Sequence, residues 1–141
     1  LEEINKKNLN LEDINKIIFK NTKGLEKIFF HVLNKNDKLI NIYNEKINDK
    51  KEVNEFYYSF KQFCMLILSH NTEIEFSKNI PSYLFRQKNY LIEIYKKYNL
   101  SKRKLLISLL EETEKMLRKQ DSLSLSIGLR FLLKFKKLTI S

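Results

Sequence analysis

The stretch VNEFYYSFKQFCMLIL (Val53–Leu68) decides how the rest of the chain is read. Its apolar positions are Val53, Phe56, Tyr57, Phe60, Phe63, Cys64, Ile67 and Leu68, separated by steps of three and one. Those steps follow the 3.6-residue period of an α-helix and not the alternation of a half-buried strand. The apolar arc is wider than a single stripe, as expected of a helix covered on more than one side. The spacing predicts about five turns of helix at the centre of a helical domain. The longest unbroken apolar run, Cys64–Leu68, falls far short of the ~20 residues that cross a bilayer.

Working outward, the same period recurs on both sides. Upstream, Leu11, Ile14, Ile17 and Ile18 follow Asn10, a good N-cap, with Glu12 and Asp13 where a helix dipole favours anions. Leu25, Ile28, Phe29, Val32 and Leu33 form a second stripe, and Leu39, Ile40, Tyr43 and Ile47 a third behind Asp37, with Asn48-Asp49 as the stop. Downstream, residues 71–79 have no clear period, and Ile74 and Phe76 alternate with polar neighbours as in a short extended stretch. Pro81 suits the first position of a helix. Behind it Leu84, Lys88, Leu91, Tyr95 and Tyr98 keep the 4-3-4-3 spacing of a narrow seam. Ser101 is the expected cap of a helix carrying Leu105, Leu106, Leu109, Leu110, Thr113, Met116 and Leu117. After a turn at residues 121–124, Leu125, Leu129, Leu132, Leu133 and Phe135 mark the last helix. The expected fold is all-α: one domain over residues 1–141, a bundle of six or seven helices, with an N-terminal helix in 1–23 and the main bundle in 24–138.

Composition agrees and excludes several classes. The 141 residues suit a single domain. Hydrophobic residues make up 43% and aromatics 12%, too much apolar matter for a disordered tail. Two Gly and one Pro are too few for a turn-rich β-sandwich, and one Cys excludes a disulfide scaffold. The formal charge is +10, but only four of the 27 basic residues are Arg and Ala is absent. That is the signature of an AT-rich coding sequence, so part of the lysine excess reflects codon bias. The opening LEEINKKN has no apolar core of a secretory signal. The start at Leu1 rather than Met leads to the expectation of a piece of a longer protein.

The inventory for catalysis is thin. His31 lies between Phe30 and Val32, His70 ends the long helix, and neither has a ligand at helical spacing, so no metal site is expected. Cys64 falls on the apolar arc and reads as a buried thiol. Gly24 and Gly128 are isolated, and no phosphate-cradling glycine loop occurs, so no nucleotide or other cofactor is expected. Glu111, Glu112 and Glu114 read as a solvent face, with Lys115 and Arg118 at ion-pairing distance along the helix. No catalytic residue is assigned, and the domain alone is not expected to be an enzyme.

The clearest competing chemistry is DNA binding. Lys96-Lys97 and Lys102-Arg103-Lys104 bracket a helix–turn–helix over residues 82–120. A base-reading helix should offer Arg, Asn or Gln in its first turns. KRKLLISLLEE turns acidic after two turns, which limits Lys102, Arg103 and Lys104 to weak contacts with phosphates.

Three pieces together resemble a known family. They are EFYYSFKQFCMLILSH (Glu55–His70), with Phe63 behind Lys61-Gln62; IPSYLFRQKNYLIEIYKKYNLSKRKL (Ile80–Leu105), with Pro81, Phe85 and Arg86; and LLISLLEETEKMLRKQDSLSLSIGLRFLLKF (Leu105–Phe135), with Glu114 and Arg118 four apart. This order is similar to the C-terminal domain of the delta subunit of bacterial DNA polymerase III, a component of the sliding-clamp loader, with a flavour closest to alphaproteobacterial members. The resemblance spans roughly residues 24–138.

The resemblance implies a collar domain that holds the subunits of a hetero-oligomeric, pentameric clamp loader together in DNA replication. It further implies a cytoplasmic, nucleoid-associated replisome setting and no membrane. The sliding clamp would be reached only through an N-terminal module upstream of Leu1, and DNA indirectly or weakly. Phe63, Pro81, Phe85, Arg86, Glu114 and Arg118 become the interface or family-marker positions. Apart from the resemblance, Phe56, Tyr57, Tyr58, Phe60 and Phe63 on one element are more aromatics than a one-sided stripe needs, and surplus apolar surface marks interfaces. Two other readings stay open: a different replication docking module, such as the helicase-binding domain of a primase, and a basic nucleic-acid-binding helical domain.

Overall fold

The computed structural model describes residues 25–35 and 38–141, in which seven α-helices follow one another without a strand. They are α1 (Leu25–Leu33), α2 (Leu39–Lys46), α3 (Lys50–Ser69), α4 (Glu73–Lys78), α5 (Lys88–Lys96), α6 (Leu100–Lys119) and α7 (Ser124–Ile140). Short 3-10 turns at Ser82–Gln87 and Asp121–Leu123 lead into α5 and α7. The helix expected over Leu11–Ile18 and the Asp37 cap lie outside the described residues.

Helix α3 matches its sequence pattern. Asp49 does not merely end the preceding helix: its carboxylate accepts from the Glu52 N–H at 2.8 Å and starts α3. Val53, Phe56, Tyr57, Phe60, Phe63, Cys64 and Ile67 are all buried. Phe60 is the hub. Its ring lies 5.0–6.4 Å from those of Phe29 on α1, Phe56 and Phe63 on α3, and Phe131 and Phe135 on α7. Tilted and edge-to-face contacts of this kind add ~0.5–1.5 kcal/mol per pair to simple burial.

Helix α7 closes the bundle by packing along α6 and against α1, α2 and α3. Its buried residues are Ser124, Ile127, Gly128, Phe131, Leu132, Phe135, Lys136 and Thr139, while Leu125, expected in the core stripe, stays exposed. On α6 the core face is Leu106, Leu109, Leu110 and Thr113, and Leu105 points away at 55% exposure. The sequence stripe ran both Leu105 and Leu106 into the core; Leu105, ~100° round the helix from Leu106, falls outside the buried arc centred on Leu106, Leu109, Leu110 and Thr113.

Three local expectations are corrected. Residues 71–79 contain α4 and not an extended stretch: Thr72 caps it by accepting from the Glu75 N–H at 3.2 Å, and Phe76 alone of its residues is buried, stacked on Tyr95 at 4.4 Å. Helix α6 starts two residues earlier than expected, because Asn99 and not Ser101 provides the cap, accepting from the Lys102 N–H at 2.9 Å. Pro81 precedes a 3-10 turn in place of the first turn of an α-helix. Of the seam Leu84, Lys88, Leu91, Tyr95 and Tyr98, the four apolar members are buried and Lys88 is half-buried.

Candidate functional site

What the interior does not use defines the surface that could act. With the core filled, several large apolar side chains still face solvent, and the α6 helix gathers some of them into two grooves.

The first groove runs between α6 and α7 and encloses about 430 Å³. Leu105, Leu109 and Leu138 supply its apolar surface, and Ser108, Glu112, Lys134, Lys137 and Ser141 its margin. Glu112 is occupied from within the fold: the Arg130 guanidinium donates to it at 3.0 Å and Lys134 lies 3.6 Å away. These bridges clamp α6 to α7 at the groove's margin.

The second, about 260 Å³, lies between α3 and α6. Tyr57, Tyr58 and Leu117 line it beside Lys50, Glu114, Arg118 and Asp121. Its charges are matched: Lys50 pairs with Asp121 at 2.6 Å, Lys61 pairs with Glu114, and Arg118 lies 3.8 Å from Glu114. Tyr58 is 56% exposed, whereas Phe56, Tyr57, Phe60 and Phe63, named with it as surplus aromatics, are core residues.

The residues singled out in the sequence are therefore dispersed. Phe63 is buried against Phe29 and Phe135 and supports the core, so no neighbouring chain can touch it. Phe85, at 57% exposure, and Arg86 stand on the 3-10 turn that Pro81 begins, and the Lys88 ammonium lies 5.7 Å from the Phe85 ring. Glu114 and Arg118 meet at the second groove. The structure brings together the Glu114–Arg118 pair and the Phe85–Arg86 pair, and does not bring the two pairs together.

The basic cluster divides. Arg103 turns inward, donating to the Tyr95 hydroxyl at 2.9 Å and to the Tyr98 carbonyl at 3.4 Å, with its guanidinium 5.3 Å from the Tyr95 ring. Lys102 reaches the Thr139 carbonyl at 3.4 Å. Lys104 alone of the three is exposed. A phosphate-binding role would require Arg103 to give up these partners.

Titratable groups are placed structurally. Burial pushes the Cys64 thiol far above its ordinary range. His70 Nδ1 donates to the Leu66 carbonyl at 2.8 Å and finishes α3. His31 is held below its usual value, by desolvation first and then by Lys136, Lys38 and Lys27, and its Nδ1 has no hydrogen-bond partner. Among the described residues no group of three or more His, Cys, Asp or Glu could hold a metal ion, and no helix is long and apolar enough to cross a membrane.

The groove between Leu105 and Leu138 escaped the sequence reading. The available signal was a second apolar register on α6, with Leu105 one residue ahead of the Leu106–Leu109/Leu110–Thr113 stripe. No protein family, curated protein or solved structure matches this chain.

Proposed function

We propose that this chain is an assembly domain, the collar domain of a clamp-loader delta subunit, which holds neighbouring subunits through helix–helix packing. The observation that carries the reading is the surplus of apolar surface. The interior is complete around Phe60, yet Tyr58, Phe85 and Leu105 each remain more than half exposed. Exposed apolar residues beside charged ones are the usual composition of protein–protein contacts. Support also comes from where the family-like residues fall: Phe85, Arg86, Glu114 and Arg118 all reach the surface or a groove and are available to a neighbour. The domain's contribution to clamp loading would be geometric, fixing subunits side by side, with the chemistry carried elsewhere in the assembly.

The test is association. The purified chain is mixed with the other clamp-loader subunits and the mass of the eluting species measured by light scattering. A stable complex containing one copy of the chain is expected. A chain that is folded by circular dichroism but elutes alone overturns the assignment. Association with the replicative helicase instead transfers it to a primase-type docking module. Tight binding of duplex DNA that falls steeply between roughly 50 and 200 mM salt transfers it to the nucleic-acid class.

A further inference from the structure

We propose that the α6–α7 groove at Leu105 and Leu138 is a docking site for an amphipathic helix whose apolar anchors are flanked by Asp or Glu, carried by another protein. The proposal deepens the assembly reading, and rests on it for the partner being a protein subunit.

The groove has the periodicity of a helix seat. On α6 its residues are Leu105, Ser108, Leu109 and Glu112; on α7 they are Lys134, Lys137 and Leu138, with Ser141 just past the helix end. Both sets follow i, i+3, i+4, i+7, so each helix presents one continuous ridge and the space between them is a trough. Seven residues of helix span ~10 Å, room for about two turns of a third helix. Leu105 stands up from one wall, while Leu109 is nearly covered and forms part of the floor. Anchors at i and i+3 or i+4 of an incoming helix fit such a trough.

Charge selects the occupant. Glu112, the groove's acidic residue, is already neutralised by Arg130 and Lys134. Lys137 has no acidic partner among the described residues, and Lys104 precedes Leu105 at the same end of α6. The open margin is thus positive, and an acidic flank would meet it while a basic one would be repelled. A second copy of this chain is a poor fit, since each carries a net charge of +10. Residues 1–24 hold an apolar stripe with Glu12 and Asp13, but five lysines against four acidic residues leave that segment net basic, so it would meet the positive margin less well than an acidic helix.

The probe is a fluorescein-labelled synthetic peptide of about 15 residues, long enough for helix formation to be induced, with Leu in helical register and Glu at the flanks. Its twin carries Lys in place of Glu. Fluorescence polarisation should show saturable binding of the acidic peptide, about tenfold or more tighter than the twin. Leu105→Glu and Lys137→Glu should each weaken it by about fivefold or more. Lys78→Glu, the same charge change on α4 and outside the groove, should alter it by less than about twofold. Equal losses from Lys78→Glu and Lys137→Glu, or no loss from Leu105→Glu in a folded variant, overturn the proposal. So does full displacement of the peptide by duplex DNA at equal charge, which would make the surface a general polyanion site.

The two readings fail separately. Peptide binding as described, without a complex with clamp-loader subunits, keeps the groove and removes the clamp-loader assignment. A complex with those subunits that Leu105→Glu and Lys137→Glu leave intact keeps the assignment and removes the groove.

Discussion

The hydroxyl of Tyr43 on α2 donates to the carbonyl of Leu125 in the first turn of α7, 2.8 Å away and 82 positions along the chain. It does so because residue 128, one turn further on, is Gly: a Cβ there would run into the Tyr43 hydroxyl and come within 3.0 Å of Val53 Cγ1. Gly128 is a packing requirement, and not a break in the helix.

Gly128→Ala should therefore destabilise the fold by about 1–3 kcal/mol, despite the higher helix propensity of Ala. In a Tyr43→Phe background the same change should cost about 1 kcal/mol less, because the obstructing oxygen is gone. A urea-denaturation double-mutant cycle measures that coupling. Additive effects would mean that the two residues do not meet.

Tyr98 and Thr139 share a buried hydrogen bond of 2.9 Å, and Thr139 Oγ1 also donates to the Phe135 carbonyl at 2.8 Å. The pair is asymmetric. Thr139→Val strands the Tyr98 hydroxyl in the interior and should cost about 1–3 kcal/mol, whereas Tyr98→Phe leaves Thr139 with a partner and should cost about 1 kcal/mol or less. Thermal unfolding of the two variants orders them.

Cys64 is fully enclosed and its thiol is pushed well above the usual value by burial. Since the thiolate is the reactive form, an aromatic disulfide reagent should label native protein only as fast as the chain unfolds. Raising the pH from about 7 to 9 should barely speed that labelling under stabilising conditions, although it accelerates an open thiol severalfold. Immediate, strongly pH-dependent labelling would contradict the burial.

Arg103 and Lys104 are neighbours with opposite roles. Arg103→Lys loses the paired donation to Tyr95 and Tyr98 and much of the stacking on Tyr95, and should cost about 1–2 kcal/mol. Lys104→Ala should change stability by less than about 0.5 kcal/mol. If both basic residues served only an external phosphate, neither substitution would shift the unfolding midpoint.

Long apolar stripes were readable because the period is repeated enough times to outweigh local preference: α3 offers seven buried apolar positions in its 20 residues, and the seam from Leu84 to Tyr98 four. Helix α4 was not readable by that route, since a six-residue element with one buried side chain has no stripe. Its trace was the pair Thr72 and Glu75, a capping-box spacing that repeats at Asp49 and Glu52. The surface was harder still. Phe63 looked like an interface aromatic and is core; Leu105 looked like core and is surface. A wide apolar arc shows that a helix is covered broadly, but whether an edge residue meets its own fold or a stranger depends on which helix packs beside it.

The aromatic hub around Phe60 also has a consequence for biosynthesis. Two of the five rings it meets belong to α7, more than seventy residues downstream, so α1 and α3 leave the ribosome long before their seat is finished. Until that last rod emerges, a strip of phenylalanines has nowhere to hide. Any lesion that truncates the message ahead of Phe131 should yield a sticky, chaperone-bound product in place of a smaller folded one.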